Sequence, residues 1–118
     1  MSIYGCGKKL NMQSDHRKSV LRNQVILLIN SGKLVTTRAR AKVVKRIAER
    51  LVTVARKGSD FTVYRYLNKV LPYDKKAVSR LVETIAPRYV DRPGGYLRYL
   101  SLGTRVGDTA PVSMLTWV

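Results

Sequence analysis

One stretch, Arg38 to Lys57, constrains the fold of this chain more than any other. At about 100° per residue, its apolar residues fall on one continuous side of an α-helix. They are Val43, Val44, Ile47, Ala48, Leu51, Val52, Val54 and Ala55. The stretch also contains eight basic residues and one acid, Glu49, and most of these charged residues fall on the opposite side of the helix. The pattern therefore predicts a long helix with an apolar side in the core and a basic side outside it.

The charge of this helix favours an anionic partner. Its basic side includes a row of residues four positions apart, which are Arg38, Lys42, Arg46 and Arg50. Each like-charged pair at this spacing costs an isolated helix about 0.2–0.5 kcal/mol, and cations also oppose the positive dipole at a helix N-terminus. A solvated helix face without a partner is the alternative, but such faces usually interleave Glu with Lys. Because Glu49 is the single acid in the stretch, we expect its basic side to bind an anion.

The charge balance of the whole chain supports that expectation. Twenty-three Lys and Arg residues against seven Asp and Glu residues give the 118-residue chain a net charge of +16. Such a charge indicates a nucleic-acid partner or an anionic membrane. A membrane is the weaker interpretation, because no apolar run approaches the roughly 20 residues of a spanning helix. Cys6 is the single cysteine, so the sequence predicts neither an internal disulfide nor a cysteine zinc site.

Apolar periodicity divides the chain into an arm and one domain. We predict an extended N-terminal arm over residues 1–13 and a single domain over residues 14–118. The predicted helices cover His16 to Asn30, Arg38 to Lys57, Asp60 to Leu71 and Asp74 to Pro87, and the predicted strands cover Lys33 to Thr36, Tyr96 to Leu102 and Val112 to Val118. The last two strands are expected to form an antiparallel hairpin, with Gly103 to Ala110 as an eight-residue loop.

Polar residues at the helix ends are expected to act as caps. The predicted N-caps, in chain order, are Ser14 or Asp15, then Thr37, Asp60 and Asp74. Gly32 suits the left-handed position that follows the first helix. These residues give the predicted helices definite starts and, for the first helix, a definite end.

The sequence contains no pattern that is typical of catalysis. Paired carboxylates, a His-Cys-Asp grouping, zinc-ligand spacing and a phosphate-loop glycine pattern are all missing. Distributed Arg and Lys with nearby aromatic residues are instead typical of proteins that neutralise RNA phosphates and stack on bases. Tyr89, Tyr96 and Tyr99 lie among arginines, and for each of them the sequence leaves both core packing and base stacking open.

Short motifs along the chain follow one another in a distinctive order. They are Lys9-Leu10-Asn11, His16-Arg17, Arg22-Asn23, Thr36-Thr37, Ala41-Lys42 with Arg46, Arg88-Tyr89, Arg92, Gly94-Gly95-Tyr96, Arg98, Arg105, Gly107-Asp108 and Ala110-Pro111. Their order and spacing together resemble the bacterial-type large ribosomal subunit protein L17 family, from about Lys9 to the C-terminus. The start departs from the family pattern, because Ser2 to Gly7 stands where that family usually has a short Arg/His-rich sequence.

The resemblance implies an α+β fold in two layers. About four helices would pack on a small mixed sheet, formed by the strand before the long helix and the C-terminal β-hairpin. It also implies a non-enzymatic, structural role in the large ribosomal subunit near the peptide exit region, without a cofactor or metal. The expected partners are large-subunit ribosomal RNA and neighbouring ribosomal proteins, in a cytoplasmic ribosome or, alternatively, an organellar one.

The basic pattern and the resemblance together predict the RNA-binding residues. They are Lys8, Lys9, His16, Arg17, Lys18, Arg22, Asn23, Arg38, Lys42, Lys45, Arg46, Arg50, Arg88, Arg92, Tyr96, Arg98 and Arg105. Two other functions remain open at this point. A DNA-binding regulatory or architectural module would present the helices near Arg38 to Lys57 and Asp74 to Ala86 to a groove of DNA. An RNA-modifying enzyme is the third possible function.

Overall fold

Seven regular helices and strands make up the fold, as described by a computed structural model for residue 10 and for residues 12–58 and 60–118. In chain order they are α1 (Ser14–Ser31), β1 (Lys33–Thr37), α2 (Arg38–Ala55), α3 (Phe61–Val70), α4 (Lys75–Arg80), β2 (Leu97–Thr104) and β3 (Pro111–Trp117). A π-helical turn, Leu81–Ile85, and a 3₁₀ turn, Ala86–Tyr89, continue α4. Each predicted helix and strand is therefore present, with ends shifted by a few residues.

The ends of α1 show how the sequence sets its length. Gly32 takes the left-handed conformation, with φ +81°, and its N–H donates to the carbonyl of Leu28 at 2.9 Å. This is the predicted end of the helix. The predicted start is wrong in detail, because Gln13 occupies the N-cap position and makes no side-chain capping bond. Asp15 lies in the first turn of α1, where its negative charge interacts favourably with the helix dipole.

Strand β1 runs directly into α2 without a loop. Thr37 is the last residue of β1 and also the N-cap residue of α2, in the extended conformation, although its side chain makes no capping bond. The apolar side of α2 is buried as predicted, with Val44, Leu51 and Val52 fully buried. Val54, at the edge of that side, is partly buried. The direct connection fixes the orientation of α2 relative to the sheet.

Pro87 changes the geometry of the last helical segment. The sequence predicts one helix ending at Pro87, but the segment becomes π-helical at Leu81 and then 3₁₀, and it continues to Tyr89. A proline lacks the N–H that an α-helix needs and clashes with the carbonyl four residues earlier, so a change of helical pitch is expected here. Asp74 caps the segment as predicted, accepting from the N–H of Ala77 at 3.0 Å, whereas Asp60 holds its N-cap position without a side-chain bond.

The three strands form one sheet in the order β1-β3-β2. Both pairs are antiparallel, with Lys33 opposite Thr116 and Leu97 opposite Trp117. The α+β class and the joining of β1 to the hairpin are thus confirmed, but the sheet is antiparallel throughout and not mixed. The hairpin loop is also shorter than predicted, because β2 continues to Thr104 and β3 starts at Pro111.

Helix α2 lies between the inner face of the sheet and the other helices. Its buried side belongs to one core that also includes Leu21 and Leu28 of α1, Leu67 of α3 and Leu115 of β3. Leu10 also packs against this core. The division at residue 13 is not tested and stays a prediction, since most of the predicted arm lies outside the described residues.

An aromatic cluster fastens the end of β3 to the helical layer. The rings of Tyr89 and Tyr96 have centroids 5.2 Å apart, and those of Tyr89 and Trp117 are 6.4 Å apart. The Tyr89 hydroxyl donates to the carbonyl of Val118 at 2.8 Å, and the Trp117 Nε1 donates to the carbonyl of Leu28 at 3.3 Å. Tyr89 and Tyr96 are therefore core residues. Among the described residues, no helix combines the length and apolarity that crossing a membrane requires.

Candidate nucleic-acid interface

The basic side of α2 carries a row of exposed cations, as the sequence predicts. Its members are Arg38, Lys42, Arg46 and Arg50, all exposed, and we call them the α2 row; Lys45 lies beside it, partly buried. Within the described part of the chain, a single ion pair is present, between Arg105 and Asp108. The cations of the α2 row therefore have no carboxylate partner there, and burial of the opposite side of α2 holds them outward.

A pocket of about 340 Å³ opens beside the α2 row, against strand β2. It is lined by Lys42, Lys45, Arg46, Glu49 and Tyr99. Glu49 does not neutralise these cations by an ion pair; its carboxylate accepts from the backbone N–H of Leu97 at 3.4 Å and so ties α2 to β2. The pocket offers three cations beside an aromatic side chain, a combination suited to a phosphate and its neighbouring sugar or base.

Tyr99 forms the sheet side of this pocket. Its ring is partly buried against the core, and its hydroxyl accepts a hydrogen bond from Ser113 at 2.7 Å. Of the three tyrosines considered in the sequence, Tyr99 is the one whose ring is packed and also borders the basic pocket. Base stacking on Tyr99 stays untested, whereas its packing role is visible.

Helix α1 contributes a second group of predicted residues. His16 and Asn23 are exposed, while Arg17, Lys18 and Arg22 are partly buried. The Nε atoms of Arg17 and Arg22 are buried and have no hydrogen-bond acceptor among the described residues. Buried donors without acceptors cost free energy, so these two Nε atoms lack a hydrogen bond that the described residues do not supply.

The segment after α4 brings two more arginines to the surface. Arg88 and Arg92 are exposed, and Arg92 donates to the carbonyl of Gly95 at 3.3 Å. The backbone carbonyl of Arg92 in turn accepts from the guanidinium of Arg56. This network shapes the loop before β2 and leaves the Arg92 side chain at its surface.

Tyr96 is a correction to the predicted interface. Its side chain is 1% exposed, and its ring packs against Tyr89. Its hydroxyl accepts from the Arg56 guanidinium at 3.0 Å. RNA has no access to this ring, so the core alternative is the correct one. The sequence missed the structural role of Arg56, because its spacing places it on the charged side of α2.

Arg98 and Arg105 are separated from the α2 row. Side chains alternate along a strand; Leu97 is buried and Tyr99 packs against the core, so Arg98 lies on the sheet face away from the helices. Arg105 lies in the hairpin loop, roughly 20 Å along the strand from Tyr99 at about 3.3 Å per residue. Its Nε and Nη2 donate to Asp108 at 3.1 and 2.5 Å. These two residues therefore do not share one site with α2.

Two of the predicted residues, Lys8 and Lys9, lie outside the described residues. The described parts of the chain hold no group of three or more His, Cys, Asp or Glu side chains placed to bind a metal ion. The exposed and partly buried cations thus lie on α1, on α2 and in the loop after α4, with Arg98 and Arg105 apart from the α2 row. Such groups are suited to electrostatic binding of an anion.

Comparison with known proteins identifies the family to which this chain is similar. A family model described as "Ribosomal protein L17" matches residues 20–118. A protein of Desulforudis audaxviator named large ribosomal subunit protein bL17 is 44% identical over 94% of this chain and 97% of its own length. A protein of the same name from Thermomicrobium roseum is 40% identical over 95% of this chain and 94% of its own.

Some relatives are longer than this chain. The Syntrophotalea carbinolica protein, also named large ribosomal subunit protein bL17, is 45% identical over 89% of this chain, but the match covers 66% of its own length. The match of the family model includes α2, the loop after α4 and the whole hairpin. On this evidence, the chain belongs to the ribosomal protein L17 family.

Proposed function

We propose that the protein is a structural, non-enzymatic constituent of the large ribosomal subunit that binds large-subunit ribosomal RNA. Membership of the L17 family and the name shared by its relatives support the ribosomal role. We further propose a position near the peptide exit region, as the sequence resemblance implies. As a bacterial-type ribosomal protein, it would work in cytoplasmic ribosomes.

The observation that carries the RNA-binding proposal is the α2 row. Its four cations are exposed and have no carboxylate partner in the described part of the chain. Like charges at this spacing destabilise a helix, whereas RNA phosphates along the row would remove that repulsion and release counterions. The buried opposite side of α2 fixes the orientation of the helix, so the backbone positions that carry the cations are set before binding.

Neighbouring ribosomal proteins are the second class of partner in this proposal. The face of the sheet away from the helices carries a row of apolar side chains at matching register positions, Val35, Met114 and Leu100. Val35 is 55% exposed and Leu100 is 40% exposed. An apolar strip of this kind suits a protein surface better than a phosphate backbone, while Arg98 on the same face could reach RNA at its edge.

Sedimentation tests the ribosomal assignment most directly. A tagged form of the chain, expressed in a bacterial host, is expected to sediment with large subunits and to stay with them through a high-salt wash. Recovery in the soluble fraction alone would contradict the proposal. The same fractions, probed for small subunits, control for general adhesion of a basic protein to RNA.

Salt dependence tests the binding mode. If eight to ten cations meet phosphates, the logarithm of RNA affinity falls with the logarithm of salt concentration at a slope of roughly −6 to −9. A flat response would contradict electrostatic binding. Competition with duplex DNA separates the DNA-binding alternative, since preference for duplex DNA over folded ribosomal RNA would favour that alternative.

A further inference from the structure

Tyr73 is a large aromatic side chain left almost entirely in solvent. It lies in the loop between α3 and α4 and is 81% exposed. Phe61, at the start of α3, is similarly exposed at 80%, but the two differ in their surroundings. The guanidinium carbon of Arg22 lies 5.0 Å from the centroid of the Tyr73 ring. Tyr73 is thus part of a cation–aromatic pair at the surface of α1.

The loop that carries Tyr73 is held on both sides. Before it, Leu71 is fully buried, and its N–H donates to the carbonyl of Leu67 at 2.8 Å. After it, Asp74 caps α4 and accepts from Asn30 of α1 at 3.3 Å. The N–H of Ala77 holds the pKa of Asp74 below its usual range, which keeps the cap charged. The ring is therefore presented from a fixed backbone.

Arg22 is a cation without an acidic partner among the described residues. Its Nε is buried without an acceptor among the described residues, and the one ion pair in that part of the chain lies elsewhere. The Tyr73 ring is its observed neighbour. Unstacked RNA bases stack on aromatic side chains and on the planes of arginine guanidinium groups. Tyr73 and Arg22 place one group of each kind side by side. Two exposed lysines, Lys75 and Lys76, follow within the first turn of α4.

We propose that Tyr73 and Arg22 form a stacking site for one unpaired, unstacked nucleobase of the bound RNA. The base would lie on the exposed ring, and the phosphates beside it would meet Arg22 and the two lysines. Every base has an aromatic face, so such a site accepts any of the four bases. This inference rests on the proposed function and adds to it a specific aromatic contact that the basic residues alone do not provide.

Replacement of the ring tests the site in the full-length protein. The probe is transcribed large-subunit ribosomal RNA of Desulforudis audaxviator, the source of one of the relatives. Tyr73→Ala and Tyr73→Leu are each expected to raise Kd about 5- to 150-fold, the range for loss of one aromatic–base stack. Tyr73→Phe keeps the aromatic face and should retain the wild-type Kd. The salt slope should stay unchanged in all three, because tyrosine carries no charge.

Phe61→Ala is the matched control, since it removes a similarly exposed ring over which no cation of the described residues is placed. It is expected to leave Kd unchanged. Tyr73→Leu preserves apolar bulk, so it separates loss of stacking from loss of folding, and thermal unfolding of each variant checks that the fold persists. If Tyr73→Leu binds RNA as tightly as Phe61→Ala and wild type, the stacking site is wrong while the proposed function stands. If the wild-type protein itself fails to bind the RNA, the proposed function is wrong.

Discussion

The α2 row and the hairpin loop both place arginine at the surface, but they use it differently. Arg46 of the α2 row has no acid beside it in an ion pair among the described residues. Arg105 donates hydrogen bonds to both carboxylate oxygens of Asp108, and the N–H of Ala110 donates to the same carboxylate. The first arginine is available to a partner, and the second closes a turn. Residue type alone therefore does not identify an interface in so basic a chain.

Removing the charge of three α2-row residues and of the neighbouring Lys45, in what we call the α2-row variant, is expected to have the largest effect. The variant Lys42→Gln, Lys45→Gln, Arg46→Gln and Arg50→Gln should reduce the magnitude of the salt slope by roughly 3 and raise Kd for ribosomal RNA roughly a thousandfold at about 0.1 M salt. Its free energy of unfolding should stay the same or rise by up to about 1 kcal/mol, because like-charge repulsion is removed. Filter binding and urea unfolding measure the two quantities.

Two controls make this test specific. A second variant with the same loss of charge, at Lys33, Lys57, Arg65 and Lys69, should weaken binding much less if the position of the cations matters. Leu51→Ala, on the fully buried side of α2, should lower the free energy of unfolding by about 2–5 kcal/mol and so shows that the unfolding assay is sensitive. Marked unfolding of the α2-row variant would mean that those cations serve the fold.

Single substitutions sharpen the comparison between the two regions. Arg46→Gln is expected to reduce the magnitude of the salt slope by roughly 0.7–0.9 and to weaken RNA binding about 5- to 8-fold at about 0.1 M salt. Arg105→Gln should produce less than half of that loss, because Asp108 already occupies two of its donor groups. Equal losses in the same filter-binding assay would support the sequence prediction that Arg105 binds RNA.

The smallest expected effect is a local change with pH in the hairpin loop. The Arg105 guanidinium, and after it the N–H of Ala110, lowers the pKa of Asp108 from 3.8 to about 2. Because this pKa is lowered on folding, the stabilisation is present above pH 3.8 and is lost as the pH falls through about 2. NMR titration of the Ala110 amide should show a midpoint near the lower value. A wild-type midpoint near 3.8 would contradict the pairing, and Arg105→Gln should move the midpoint upward.

The sequence predicts the helices and the strands because their signals are local. The apolar spacing of α2, the proline after α3 and Gly32 after α1 each act within a few residues. Capping was less predictable: Asp74 caps its helix, whereas Thr37 and Asp60 occupy N-cap positions without a side-chain bond. A Thr or Asp at the N-cap position need not make a capping bond when the preceding strand or loop already fixes the backbone at the start of the helix.

The interface was predicted less completely, for reasons of three-dimensional packing. The pairing of β1 with β3 joins residues far apart in the chain, and it entered our expectation through the family resemblance and not through periodicity. Tyr96 is buried and Arg98 points outward because of the face that β2 turns toward α2. Apolar and polar residues do not alternate regularly along β2, so the sequence does not show which face is buried. The sequence does not single out Tyr73, because its contact with Arg22 joins residues fifty-one positions apart in the chain. An aromatic residue between Pro72 and Asp74 is the one local signal.

The strand order β1-β3-β2 has a consequence for the way the protein is made. The central strand is β3, the last of the three to be synthesised, so neither ladder of the sheet can form until its seven residues have been translated. Before then, α2 lacks Leu115 and the rest of its cover on the sheet side, and its apolar side stays open to solvent. Folding must wait for a contact between distant parts of the chain, which slows it. A nascent chain of this protein therefore passes through about half of its synthesis with the residues of α2 already translated and the core unfinished.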